Sequence, residues 1–222
     1  MAAEVANVCL ENLISPWVGR CHDGAPLRRV VVATVDGRAF YVFVSMLKDL
    51  GIPFSAHLPW EQFRASLVLT TRDEARAGWG SKVLLYEDLT GDRLVDSALV
   101  LSSVNGGKDD LVVGLDPGNR IGVVVQYGGT IVHEGVCRSP REVASILRRL
   151  LALRARTRVV KLGFGDPERA MAIVKEVREL LEKGYELQLV DERNTTHSGA
   201  RARRDVEAAL RISRRRGVPS TF

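Results

Sequence analysis

LVVGLDPGNRIGVVV, residues 111–125, is the stretch on which the rest of the chain turns. Leu111, Val112, Val113 and Leu115 have the branched, apolar character of a buried strand, and Asp116 closes that run. Pro117 and Gly118 supply turn chemistry and residues 121–125 supply a partner strand, so the stretch predicts a β-hairpin with a carboxylate at its crest. An acid held at the end of a central strand is a rigid post for a metal or a phosphate. An Asp before Pro-Gly is equally an ordinary turn former. The residues downstream weigh between the two.

After the hairpin a third strand is expected over residues 130–136, following Gly128-Gly129, which makes an antiparallel meander. Ser139-Pro140-Arg141-Glu142 has the form of a capping box with proline at the first helical position, and it opens a helix with Val143, Ile146, Leu147, Leu150 and Leu151 on its apolar face. A strand at 158–162 leads to a helix capped by Asp166, with Met171, Val174, Val177 and Leu181 inward. A strand at 186–190 runs into Asp191-Glu192-Arg193-Asn194-Thr195-Thr196, and a last helix covers about 199–215. The order is β-β-β-α-β-α-β-α, a mixed sheet in which later strands return parallel to the first. Parallel strands share one carboxyl edge, so Asp116 is expected near Asp191 and Glu192.

Upstream, a strand at 29–35, a helix at 38–50 with Phe40, Phe43, Val44, Leu47 and Leu50 as its stripe, three further short strands and a helix at 92–103 predict a small α/β domain with a mainly parallel sheet. The glycine-bearing link at residues 105–110 places the boundary between a first domain, 1–107, and a second, 108–222. The turn TVDGR after the first strand has one glycine, too few to cradle a phosphate, and Asp36 within it reads as an Asp-Gly turn. Trp60 and Trp79 with Arg64, Arg72 and Arg76 either stack and neutralise a single-stranded nucleic acid or pack under a loop.

The 222 residues, 45% hydrophobic, carry a net charge of +5, and residues 109–222 hold 21 Lys and Arg against 15 Asp and Glu. The basic excess therefore lies in the second half, where Arg201, Arg203, Arg204, Arg211 and Arg214–Arg216 suit a polyanion or a solvated helix face. No apolar run approaches the roughly 18 residues of a membrane span. A start without a basic leader and three cysteines without CxxC spacing set the expectation of a cytoplasmic chain with reduced thiols.

Carboxylates gathered at one sheet edge repel one another unless a cation lies between them, which defines a hard-metal site. A third acid, Asp205, shares a helix face with Ile212 and with Ala208 and Ala209, whose small side chains let a helix approach a sheet. Its partner is either a metal or an arginine such as Arg201.

GLDPGNRIGVVV, KLGFGDP, VDERNTTHSGA and RRDVEAALRIS, in that order, resemble the YqgF and RuvC group of Holliday-junction-resolvase-like nucleases in the ribonuclease H-like superfamily. The resemblance covers residues 111 to about 217. It implies that Asp116, Asp191 or Glu192, and Asp205 are catalytic, with Asp116, Glu192 and Asp205 holding two Mg²⁺ or Mn²⁺ ions about 4 Å apart for phosphodiester hydrolysis. It further implies that Arg120, Arg193, Thr195, Thr196, Arg201 and Arg204 contact nucleic acid, either branched DNA or structured RNA, and that a junction-cleaving enzyme would work as a homodimer. The stretch between the DER segment and Asp205 is shorter than that family's pattern, and no acid lies on the strand at 158–162. A module that keeps the fold and binds nucleic acid or protein without turnover is the alternative.

Overall fold

The computed structural model describes residues 29–79, 81–106, 108–191 and 201–220, and divides the chain into two units, Met1–Leu89 and Thr90–Phe222. The first unit carries β1 (Val30–Ala33), α1 (Gly37–Asp49), β2 (Phe54–His57), β3 (Leu67–Thr70) and β4 (Lys82–Leu85). All its strand pairs are parallel, in the order β2-β1-β3-β4. β1 and β3 are buried at every residue, which is why both read as unbroken apolar runs. Asp36 caps α1 by accepting from the Ala39 amide at 2.7 Å, so its Asp-Gly pair serves a helix start. The inward face of α1 is Ala39, Phe43 and Leu47; Phe40, expected in that stripe, is exposed.

At the carboxyl edge of this first sheet, Glu74 accepts from the Thr34 hydroxyl, from the Val35 amide at 2.7 Å and from the Thr71 hydroxyl at 2.7 Å. Burial pulls its carboxyl upward, but these donors outweigh burial and hold it below the ordinary glutamate value.

In the second unit, α2 (Arg93–Asn105), capped by Asp92, precedes β5 (Asp110–Pro117), β6 (Ile121–Tyr127), β7 (Thr130–Cys137), α3 (Pro140–Leu150), β8 (Thr157–Gly163), α4 (Pro167–Glu182), β9 (Glu186–Val190), α5 (Arg201–Arg214) and β10 (Val218–Pro219). The boundary expected at 107/108 falls upstream of α2 instead. Leu94, Val95 and Ala98 belong to the second unit's core, and Asp92 takes both guanidinium arms of Arg149 on α3 at 2.6 and 2.7 Å. The amphipathic pattern of α2 required a core to pack on but did not say which one.

The second sheet runs β10-β9-β8-β5-β6-β7. β5, β6 and β7 form the antiparallel meander, and β8 and β9 add in parallel beside β5. This is the ribonuclease H-like arrangement: three meander strands, two parallel strands on the far side of the first, and helices on both faces. The pair Val218–Pro219, not anticipated, adds antiparallel to β9. Val113, Leu115, Val123, Val160, Leu162 and Leu187 turn one sheet face into a core shared with α3 and α4.

Two helix caps match the residues that signalled them. Ser139 accepts from the Glu142 amide, while the Glu142 carboxylate reaches the Arg138 amide at 2.9 Å; Asp166 accepts from the Arg169 amide at 3.1 Å. The buried residues of α4 are Ala170, Ile173, Val174, Val177 and Leu180, with Met171 exposed, so its stripe is rotated from the expected one. Cys137, the one cysteine among the described residues, is a buried thiol whose surroundings push its pKa up to about 11. Among the described residues no helix is long and apolar enough to cross a membrane.

Candidate active site

Asp116 lies within β5 rather than at a hairpin crest: Asp116 pairs with Gly122 and Pro117 still pairs with Ile121, leaving residues 118–120 as the turn. Directly opposed residues on antiparallel strands share a face, so the half-buried Asp116 lies on the side of Gly122 and, two residues back, of Gly114. That is the face covered by α5. A Cβ on Gly114 would stand 2.7 Å from the Ser213 Cβ and 3.0 Å from its amide nitrogen. On Gly122 it would stand 2.6 Å from the Asp205 carbonyl carbon and 3.3 Å from its Cα, with the carbonyl oxygen nearer still.

The helix main chain therefore rests on two strand glycines, with Ala209 and Ile212 fully buried beside them. The sequence reading credited this approach to Ala208 and Ala209. The more demanding half is on the sheet, and its signal was a glycine inside each of two apolar strand patterns. As a result Asp205, on α5, is laid over the cross-strand neighbour of Asp116, 89 positions away in the chain.

Polar contacts also hold the carboxyl-terminal half of α5. The Gln126 amide donates to the Ser213 hydroxyl at 2.7 Å, and that hydroxyl donates to the Leu210 carbonyl at 2.7 Å. The Lys161 ammonium donates to the Arg215 carbonyl at 2.6 Å, a cation at a helix carboxyl end, and burial holds its pKa below the ordinary lysine value.

Arg120, in the hairpin turn, approaches Asp205 at 3.9 Å from Nε to Oδ2, with Arg120 47% and Asp205 23% exposed. At that length and exposure the pair is worth less than about 1 kcal/mol, so a stronger ligand for the carboxylate displaces it at little cost. The expectation for Asp205 was a metal or an arginine; among the described side chains the arginine is Arg120, a residue expected to touch nucleic acid.

Asp191 follows β9, and β8 lies between β9 and β5. The expected adjacency of Asp116 and Asp191 is therefore an offset of two strand spacings, roughly 10 Å. The main-chain carbonyl of Asp191 accepts from the Arg215 guanidinium at 2.8 Å, tying the end of β9 to the end of α5. Glu192, Arg193, Thr195 and Thr196 lie outside the described residues. Arg201 opens α5 and Arg204, one turn on, is exposed.

Among the described residues no group of three His, Cys, Asp or Glu side chains is gathered closely enough to hold a metal ion. The described donors at this edge, Asp116 and Asp205, are carboxylates, hard oxygen ligands of the kind Mg²⁺ and Mn²⁺ take, and the fit of a third rests on the segment that begins at Asp191.

No family model matches the chain, and no curated protein matches it. Among solved structures it is similar to the crystal structure of Aa-Ago with externally bound siRNA, at 15% identity and a TM-score of 0.27, over 75% of this chain and 36% of that one. The chain thus spans little more than a third of that protein's length, and the assignment of its fold rests on its own strand order.

Proposed function

We propose that the second unit is a divalent-metal-dependent endonuclease acting on structured nucleic acid, with the four-way DNA junction as its favoured substrate and structured RNA as the alternative. The observation that supports this reading is the seating of α5 on Gly122, the cross-strand partner of Asp116, which carries the main chain of Asp205 over the strand pair that bears Asp116.

Asp116, Asp205 and a carboxylate from residues 191–192 would hold Mg²⁺ or Mn²⁺, which when bound supplies an activated water and charge neutralisation at the leaving oxygen. The chain's own groups do the rest. β5 fixes Asp116 between two paired neighbours, and Asp205 is held by the packing of α5 on the sheet. With Asp205 engaged by a metal, Arg120 would be free to meet a phosphate of the strand being cut, and the exposed Arg204 would meet a flanking one. Such contacts position the backbone without reading bases.

The test is cleavage of a labelled four-way junction and of a hairpin-rich RNA, side by side, in Mn²⁺ and in Mg²⁺. Wild-type protein should cut one of them, and Asp116→Asn should abolish cutting while leaving the unfolding transition in place. A wild-type protein that cuts neither substrate in either ion refutes the nuclease reading. The binding-module reading, suggested by the short stretch between the DER segment and Asp205 and by the additional first unit, then takes its place.

A further inference from the structure

The first unit contains a cleft of about 560 Å³ whose walls come from Arg29, just ahead of β1, from residues 61–64 and from Gly78 and Trp79. One wall is aromatic. The rings of His57 and Phe63 lie 5.2 Å apart at 38°, and those of Phe63 and Trp79 lie 5.5 Å apart at 40°. Phe63 and Trp79 pack from behind against Val31, Ala33 and Val68, all fully buried, so the rings are set by the core yet stay partly exposed.

The loops that carry the rings are tied together as well. The Ser81 hydroxyl donates to the Ala65 carbonyl at 2.7 Å and contacts the Trp79 carbonyl at 2.9 Å, and the Ser66 amide donates to the Arg29 carbonyl at 2.8 Å. Of the charged groups at the mouth, Glu61 is engaged by the His57 ring at 3.1 Å and by the Leu58 amide at 3.1 Å. Arg29 and Arg64 are both exposed. A fixed aromatic wall with two guanidinium groups at its rim matches a ligand that is planar and apolar on its face and anionic along its edge.

We propose that this cleft binds a short stretch of single-stranded nucleic acid, a base stacking on the Phe63–Trp79 wall and the flanking phosphates meeting Arg29 and Arg64. A strand within a duplex offers no open base face to such a wall, so the site selects single strands. The assignment uses residues of the first unit alone and stands or falls apart from the catalytic reading. It gives the protein a second grip on nucleic acid, one that needs no divalent ion.

The test is fluorescence anisotropy of labelled fifteen-nucleotide dT and rU oligomers with the full chain in EDTA, at several salt concentrations. Wild-type protein should bind. Arg29→Ala combined with Arg64→Ala should weaken binding ten-fold or more and flatten the slope of log K against log salt by about 1.4, that is ~0.7 for each lost phosphate contact. Trp79→Leu should lose about ten-fold or more and Trp79→Phe, which keeps a stacking face, much less. The proposal is overturned if wild-type protein does not bind, or if the arginine pair variant, with its melting temperature unchanged, keeps wild-type affinity and slope. Equal binding by Trp79→Leu and Trp79→Phe overturns it too.

Discussion

Replacing Gly122 by alanine tests whether α5 is seated where Asp205 can serve Asp116. The added Cβ would lie 2.6 Å from the Asp205 carbonyl carbon and 3.3 Å from its Cα. Relaxed carbon–carbon contacts are about 3.5–4.0 Å, so helix and strand must part by roughly 1 Å. β6 is held by β5 and β7 on its two sides and by the α3–α4 core beneath, so the helix is the element that yields. Overpacking of this kind costs ~1–3 kcal/mol, offset by about 0.4–1 kcal/mol from the stiffer unfolded chain, for a net loss near 1–2 kcal/mol in urea unfolding. The functional loss should be larger, since a displacement of about 1 Å at a reacting centre costs on the order of 100-fold in rate. Gly135→Ala on β7 is the control: its Cβ would meet nothing closer than the His133 ring at 3.5 Å, an ordinary contact. If Gly122→Ala matches Gly135→Ala in both unfolding free energy and Mn²⁺-dependent cleavage, the seating of α5 and the pairing of acids built on it are wrong.

The Asp92–Arg149 pair gives a pH signature. Arg149 holds the Asp92 carboxyl down at about 2 from an ordinary 3.8, so the pair's stabilisation is complete above about pH 4 and is lost as pH falls through 2. With side chains 29% and 43% exposed it should be worth about 1 kcal/mol after screening, and Arg149→Ala should differ from wild type by that amount at pH 6 and converge with it near pH 2 in acid titrations of unfolding. Asp166→Ala should cost about 1 kcal/mol through loss of the α4 cap while sparing cleavage. Abolished cleavage at unchanged stability would instead make Asp166 a ligand.

What could be read ahead of the structure was whatever depends on neighbours in the chain. Continuous Val and Leu runs marked β1, β3 and β5, since a strand buried on both faces has no polar side to show. Ser139 and Asp166 marked helix starts, because a capping side chain satisfies amides two or three residues on. The β-β-β-α-β-α-β-α order followed from those local signals. Placement across the sheet did not. That β8 stands between β9 and β5, parting Asp191 from Asp116, is a matter of which edges pair. Val218–Pro219 is too short to carry a pattern and becomes a strand only because β9 presents an edge to it.

The same division holds for the helices and for the candidate site. α2 carried a visible apolar face, but only packing assigned that face to the second unit. The sequence by itself determined that Asp116 ends an apolar strand run and that Asp205 lies on an inward helix face, because both depend on spacings of two to four residues. Only the tertiary structure decided that Gly122 would carry the main chain of Asp205 and that Arg120 would reach it, because a close approach belongs to two surfaces and neither is encoded in the other's spacing.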